Sequence, residues 1–370
     1  MLDISKLLFQ LENAKIALFA DNKDDVSFLY KHWIELCKDS MLIKKVANKR
    51  FGLLLPSWQE DFAATFPIIP LHDNYAFLAV DGSQVYYDRH QGPACYLINI
   101  GSCFISYSKP VSRVQCSSTP LVSAIAQDEE KNQGFIDLKR EELELQSAVA
   151  LSKQFYTPNL PFLCCFDGSL IFWSLEGLQE DEHGFLPRYF DALQGLYEQK
   201  IPYAGYVSYP RNKDLINVLK LYAVDFKEDL LHILPAAVQG LVDTDIVEWY
   251  LPEGFRSQVF ESKASICYVY PAHLKPYFCY LHVGQEIIRM EFPAWIAKDS
   301  SMVTQICQMA YDQALKGRGY PVCLFEAHEQ AVIKQQDRQL FYHALQMIGM
   351  QQAKKYVFSQ KSLKKRQVDL

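Results

Sequence analysis

The sequence predicts an α/β protein, with a central sheet flanked by helices behind a helical N-terminal stretch. Three observations predict it. Apolar residues recur at helical spacing through the first 66 residues. Near-continuous apolar runs follow at 75–80 and 161–166, each ending in Asp-Gly-Ser. A charged helix separates those two runs. Unbroken apolar runs of six residues read as strands buried on both faces, and strands interleaved with helices give the α/β class.

The elements follow in order. Ile4, Leu7, Leu8, Leu11 and Ile16, then Phe28, Leu29, Trp33 and Leu36, repeat at helical spacing, and the pattern breaks at Phe66-Pro67-Ile68-Ile69-Pro70. The first buried strand, 75–80, runs into Asp81-Gly82-Ser83, with strand-like stretches at 85–87 and 94–106. Residues 137–155 form the charged helix, and 161–166 the second buried strand, ending at Asp167-Gly168-Ser169. Beyond it a strand is expected at 203–207, a helix at 214–224, and strands at 266–270, 277–283 and 287–292. A helix at 301–316 leads through Gly317-Arg318-Gly319 into a short strand at 321–325 and a last helix from Glu326. This gives a helical region 1–66, a sheet-bearing region 67–350 and a basic tail 351–370 carrying Lys354, Lys355, Lys361, Lys364, Lys365 and Arg366.

Composition narrows the function classes. At 49% hydrophobic and 22% charged residues, the 370-residue chain can bury a large core without staples. A net charge of −6 argues against a surface coated in cations for non-specific duplex binding, while leaving room for a local basic groove. The ten cysteines include no CxxC pair, which excludes zinc ribbons by spacing. The amino terminus lacks the basic start and long apolar run of a signal peptide, and no stretch reaches bilayer-spanning length. A reduced, cytoplasmic protein is expected. No phosphate-cradling GxxxxGK[ST] loop occurs, so the chain is not a nucleotide-driven motor.

The doubled strand-then-Asp-Gly-Ser pattern carries the chemistry. A carboxylate at the exposed end of a buried strand is held rigidly, and the glycine after it permits a tight turn. Two such carboxylates on neighbouring strands can share a divalent cation, and hard oxygen ligands suit magnesium or manganese. Asp-Gly is also a common turn pair, and that plainer reading stays open. On the helix between them Leu138, Leu145, Ala148, Val149 and Phe155 form one stripe; Glu141 falls inside it, Glu144 on its flank and Glu142 on the other edge. A glutamate on a buried stripe needs a partner or a metal. Glu326 and His328 close the set, with His328 a ligand, a proton carrier or a packed residue. Carboxylates plus an imidazole match the needs of metal-assisted phosphodiester hydrolysis.

Taken together, these stretches resemble the NurA nuclease family, which acts in DNA double-strand-break processing, and most closely its bacterial branch. The resemblance runs over roughly 75–365 through LAVDGSQV (78–85), REELE (140–144), FDGSLIFW (166–173), YAGYVSYPRNKDLINVLK (203–220), GFRSQVFES (254–262), EIIRMEFPAWIA (286–297), GRGYPVCLFEAHEQAVI (317–333) and SQKSLKKR (359–366). It implies a ribonuclease-H-like mixed sheet and a homodimer. It implies a manganese-dependent (magnesium as the alternative) 5′-to-3′ exonuclease acting on single- and double-stranded DNA ends, with single-strand endonuclease activity as a possible addition. A HerA-type hexameric ATPase is the implied partner. By position it implies Asp81, Glu144, Asp167 and His328 as catalytic residues and metal ligands, with Glu141 in reserve for the glutamate. Tyr206, Ser208, Arg211 and Lys213 are the implied DNA contacts, and Arg256 and Ser257 serve either DNA or the dimer. Many relatives carry a lysine close to Ser208 or Tyr209 that this chain lacks, so Arg211 or Lys213 would replace it. The alternative from the same fold is a subunit that binds DNA or docks on a translocase without cutting.

Overall fold

The computed structural model describes residues 2–18, 23–47, 49, 51–88, 93–108, 111–125, 133–176 and 184–351. In chain order the elements begin with helices α1 (Ile4–Leu18), α2 (Lys23–Leu36) and α3 (Leu42–Ala47). Strands β1 (Thr65–Pro67), β2 (Tyr75–Val85), β3 (Cys95–Tyr107) and β4 (Arg113–Ala124) come next, then α4 (Gln133–Phe155), β5 (Phe162–Asp167), α5 (Phe185–Glu198) and β6 (Tyr203–Val207). Helices α6 (Asp214–Ala223), α7 (Ala236–Gly240) and α8 (Asp243–Val247) precede strands β7 (Phe255–Ser257), β8 (Phe260–Glu261), β9 (Pro276–His282) and β10 (Ile287–Pro293). The chain closes with α9 (Ala294–Ala297), α10 (Ser300–Lys316), α11 (Val322–Ala331) and α12 (Gln335–Gln351).

These elements sort into two compact units. One comprises residues 1–63 and 211–249, and the other 64–210 and 250–370. In the first, helical unit, α2 packs on α6 and α7. Leu29, Trp33 and Leu36 supply its buried face, and Trp33 meets Trp249 edge-on at 6.1 Å and Phe62 at 5.8 Å. Helix α6 is buried from Asp214 to Leu221. Its free backbone N–H groups at Leu215 and Ile216 donate to Asp243 Oδ1 at 2.9 and 2.8 Å, an acceptor of the charge that a helix N-terminus favours. On α1 the periodic residues Ile4, Leu7, Leu8 and Leu11 are exposed.

The second unit holds a ten-stranded sheet in the order β1-β7-β9-β10-β6-β5-β2-β3-β4, with β8 on β9. β2, β3 and β4 form an antiparallel meander, and β5 and β6 then add in parallel to β2. That mixed, ribonuclease-H-like order arises because each parallel step needs a crossover, supplied by α4 and α5. Strand alternation feeds two cores. Phe77, Ala79, Leu163 and Cys165 pack with α10 and α11, whereas Ala76, Leu78, Phe162 and Cys164 pack with α4 and α5. Each fully buried aliphatic or aromatic side chain contributes roughly 1.5–3 kcal/mol by leaving water.

Several elements differ from the sequence reading. β2 continues through Asp81-Gly82-Ser83 to Val85, so there is no turn at the first triplet and no separate strand at 85–87. Phe66 and Pro67, read as the start of a break over 66–70, belong instead to β1 (Thr65–Pro67), which pairs with β7. β4 was not anticipated; it is exposed along most of its length and therefore lacks the apolar alternation that marks strands. Residues 265–269 form a 3-10 helix rather than a strand. Residues 321–325 are the start of α11, not a strand: Cys323, Ala327 and Ala331 recur every four residues and all are fully buried. Apolar runs this short do not distinguish the two periods. The basic tail from 352 onward lies outside the described residues.

Candidate active site

The sheet brings the two predicted aspartates side by side. In the parallel pair β2 and β5, Val80 lies opposite Phe166, so Asp81 and Asp167 occupy the next step on adjacent strands, roughly 5 Å apart along the hydrogen-bonding direction. The strand pleat then divides the first triplet between two helices. Asp81 Oδ2 meets His328 Nδ1 of α11 at 2.8 Å, and Ser83 Oγ donates to the Ala331 carbonyl on the same helix. Gly82 points the other way, toward α4. A Cβ there would lie 2.5 Å from Glu144 Oε1 and 2.8 Å from Arg140 Cγ, so the missing side chain is the gap into which Glu144 reaches.

α11 is pinned closely enough to deliver His328. Asn99 Nδ2 donates to the carbonyls of Gln330 and Ala331, both at 2.9 Å. Beside it Gly101 has no side chain to hold the helix off; a Cβ would stand 2.2 Å from the Ala327 carbonyl oxygen. The second triplet behaves differently. Asp167 ends β5, and Gly168 turns the chain at φ +128°, a region reserved for glycine. Ser169 Oγ and the Leu170 N–H both donate to Glu291 Oε2 at 2.8 Å, and Glu291 Oε1 receives Arg289 Nε at 2.8 Å. Glu291 is 1% and Arg289 0% exposed, so a fully buried pair on β10 holds the turn that follows Asp167.

Electrostatics set these carboxylates apart. Glu144, with a side chain 17% exposed, is pushed up to about 8 by burial, against the opposing pull of Arg140 and with further push from Asp81 and Glu141. Arg140 forms an ion pair with Glu144 and also lies within reach of Asp81's charge. Asp167, although exposed at the strand end, is raised by desolvation of its carboxyl; a hydrogen bond from Tyr320 opposes this, Asp81 adds to it and His328 opposes it. Asp81, Glu144, Asp167 and His328 thus belong to one electrostatic cluster. Among the described residues no three His, Cys, Asp or Glu side chains already surround a common point as ligands. The pleat accounts for this, since Asp81 faces α11 and Glu144 arrives from α4.

The other expected residues fall elsewhere. Glu141 lies one turn from Glu144 and accepts from Tyr189 Oη and Ser174 Oγ, both at 3.2 Å. Glu142 is the buried glutamate of this helix, paired with Lys139 at 2.9 Å and Arg188 at 2.8 Å. Tyr206 is fully buried in β6 against Tyr320, so it is a core residue and not a surface for DNA. Ser208 Oγ donates to Glu286 at 2.9 Å. Arg256 and Ser257 are buried too, with the Arg256 guanidinium 4.3 Å from the Phe66 ring centre. Arg211 and Lys213 belong to the helical unit. Sequence reasoning missed Arg140, Tyr320, Glu286 and Glu291, although all but Tyr320 stand in charged positions of the quoted motifs.

The family model described as the NurA domain matches residues 75–333. The chain belongs to the NurA domain family. Asp81, Glu144, Asp167 and His328 all lie within the matched NurA domain, while residues 1–63 of the helical unit precede it. The chain is also similar to a crystal structure of NurA with manganese, at 10% identity over 86% of this chain and 96% of that one, with a TM-score of 0.39. A structure of NurA bound to dAMP and manganese gives 12% identity, 86% and 95% coverage and a TM-score of 0.37. An Argonaute from Aquifex aeolicus gives 10% identity, covering 71% of this chain and 29% of that one, with a TM-score of 0.29. At such scores the family match alone carries the assignment. No curated protein matches the sequence.

Proposed function

We propose that this NurA-domain protein is a metal-dependent deoxyribonuclease acting at DNA ends, centred on Asp81, Glu144, Asp167 and His328. The observation that carries the reading is that four residues from β2, α4, β5 and α11, far apart in sequence, form one cluster at the parallel strand ends. The finer parts of the reading come with the family resemblance: 5′-to-3′ digestion, manganese in preference to magnesium, a homodimer and a HerA-type ATPase partner.

The donor set fits a hard divalent cation. Three carboxylates and one imidazole are of the right type. Glu144, raised to about 8 by burial and negative neighbours, is a carboxylate that needs positive charge to ionise. Arg140 supplies part of that charge through its ion pair. Asp81, Asp167 and Glu144 would hold the cation, with His328 as a further ligand or as the group that moves a proton at Nδ1. Bound there, the ion would supply an activated water and charge for the leaving oxygen. The residues' own work is placement: β2 and β5 fix the aspartates, the Arg289–Glu291 pair steadies the turn after Asp167, and Gly101 lets α11 deliver His328. Arg140 is the cation beside the carboxylates in this unit, and it fits the role of meeting a phosphate where relatives use lysine.

The test is cleavage of end-labelled linear DNA with manganese, with magnesium and with chelator, beside Asp81→Ala. Metal-dependent cleavage that is lost in the variant is expected; undiminished cleavage by the variant would sink the assignment. One observation favours the second reading, a non-cleaving subunit: Asp81 is turned to His328 and Glu144 to Arg140. Absence of cleavage by the parent, both alone and with the ATPase present, would decide for that reading.

A further inference from the structure

The helical unit contains a cavity of about 340 Å³ with a polar wall and an apolar one. Lys213 at the N-cap of α6, with Asn217 and Lys220 four and seven residues further on, gives the polar wall, with His232 and Gln239 beside them. Leu53, Leu231 and Leu234 give the apolar wall. The two ammonium groups converge. Lys213 Nζ donates to the Gln239 carbonyl oxygen at 3.3 Å, and Lys220 Nζ donates to the same oxygen at 3.1 Å. Lys220 is 6% exposed, and among the described residues neither lysine forms an ion pair. No carboxylate lines the cavity.

Two positive charges on one neutral oxygen, with one of them buried, are an arrangement that repels itself and loses hydration. The buried ammonium is depressed to about 8, chiefly by burial and then by Lys213, with Asp243 and Asp245 opposing. Asp243 is itself committed to the N–H groups at the start of α6. An anion at this point would accept from both lysines at once. A phosphate group has the charge and the oxygens to do so, and the leucine wall adjoins it with room for an apolar moiety. Cavities of a few hundred Å³ with convergent polar groups on an apolar lining are of the size and character that hold small ligands.

We propose that this cavity binds a small phosphate monoester such as a nucleoside monophosphate, its phosphate gripped by Lys213 and Lys220 and its base lying against the three leucines. The site lies wholly within the helical unit and is independent of the carboxylate cluster. It also gives Lys213 a role other than meeting the DNA backbone.

The test is isothermal titration of the full chain, in chelator, with adenosine 5′-monophosphate, inorganic phosphate and adenosine. The monophosphate is expected to bind more tightly than phosphate, and adenosine not measurably. Lys213→Ala, an exposed position that folding tolerates, should weaken the monophosphate about tenfold or more, the scale of a lost charge-assisted bond. Lys220→Met should weaken it further if that variant folds, whereas Asp81→Ala should bind as the parent does. Equal binding by Lys213→Ala and the parent, no binding by the parent, or adenosine binding as tightly as its monophosphate would each overturn the proposal.

Discussion

In the first Asp-Gly-Ser triplet all three residues lie within a strand, and neighbouring side chains face opposite sides of the sheet. In the second the aspartate ends a strand, and the glycine bends the chain at φ +128°. The glycines differ in what they provide. Gly82 provides space, since a Cβ would run into Glu144 and Arg140. Gly168 provides conformation, since a Cβ there would meet nothing within 4 Å. Identical tripeptides therefore support neighbouring aspartates by unrelated physics, and the surrounding helices decide which.

The sharpest way to break this comparison is to remove an aspartate. Asp81→Ala should abolish metal-dependent cleavage while leaving the far-ultraviolet circular dichroism of the parent, because what is lost is a partly exposed contact to His328 and the local hydrogen bond that Asp81 Oδ1 accepts from the Gly82 N–H. Next come the glycines. Gly82→Ala should cost activity first, through displacement of Glu144, with roughly 1–3 kcal/mol of overpacking in denaturant titrations. Gly168→Ala should cost stability of about the same size through backbone strain alone. If both variants lose stability but only Gly82→Ala loses more than its share of cleavage rate, the distinction between space and conformation holds.

Smaller effects sharpen the picture. Glu291→Gln weakens the buried support of the second turn but not that of the first, and a loss of about 10–100-fold in cleavage is expected, as for groups that orient ligands. An effect on activity without a matching fall in melting temperature would mark it as a positioning residue. Smallest is the pH response. Glu144 is held near 8 when folded against an ordinary 4.5, so taking up a proton favours the folded state. That contribution is complete below about pH 4.5 and is lost as pH rises through 8. The melting temperature of the metal-free protein should show this loss over that window, and Glu144→Gln should reduce it. Manganese should raise the melting temperature more at pH 8 than at pH 5.

The sequence made some of this legible and hid the rest for physical reasons. β2 and β5 were visible because strands buried on both faces leave unbroken apolar runs. α4, α6 and α10 were visible because helical stripes run long enough to fix their period, although α4 begins at Gln133, four residues before the expected start. α11 was misread because Val322-Cys323-Leu324-Phe325 is too short to reveal one. Its actual signal, small residues at 323, 327 and 331, makes sense only once Gly101 is known to lie beneath them. Asp81, Asp167 and His328 were singled out from motif and resemblance, and the structure sets Asp81 against His328 and beside the strand that ends in Asp167. Glu144 could not be separated from Glu141 by periodicity, and the structure places Glu144 over Gly82 and Glu141 toward Tyr189. Glu291 was invisible as a support, because its partners Ser169 and Leu170 are more than a hundred residues away in the chain.

The contact between Asp81 and His328 spans 247 positions of the chain. A ribosome making this protein completes both Asp-Gly-Ser triplets and the glutamate helix long before it reaches α11. Until then β3 has no helix lying over Gly101, and the core face built from α10 and α11 is open. The contact between Asp81 and His328 can therefore form only after α11 has been made. A chain cut short before residue 322 carries Asp81, Glu144 and Asp167 without the imidazole of His328, so making the acids and supplying their imidazole partner are separate in time.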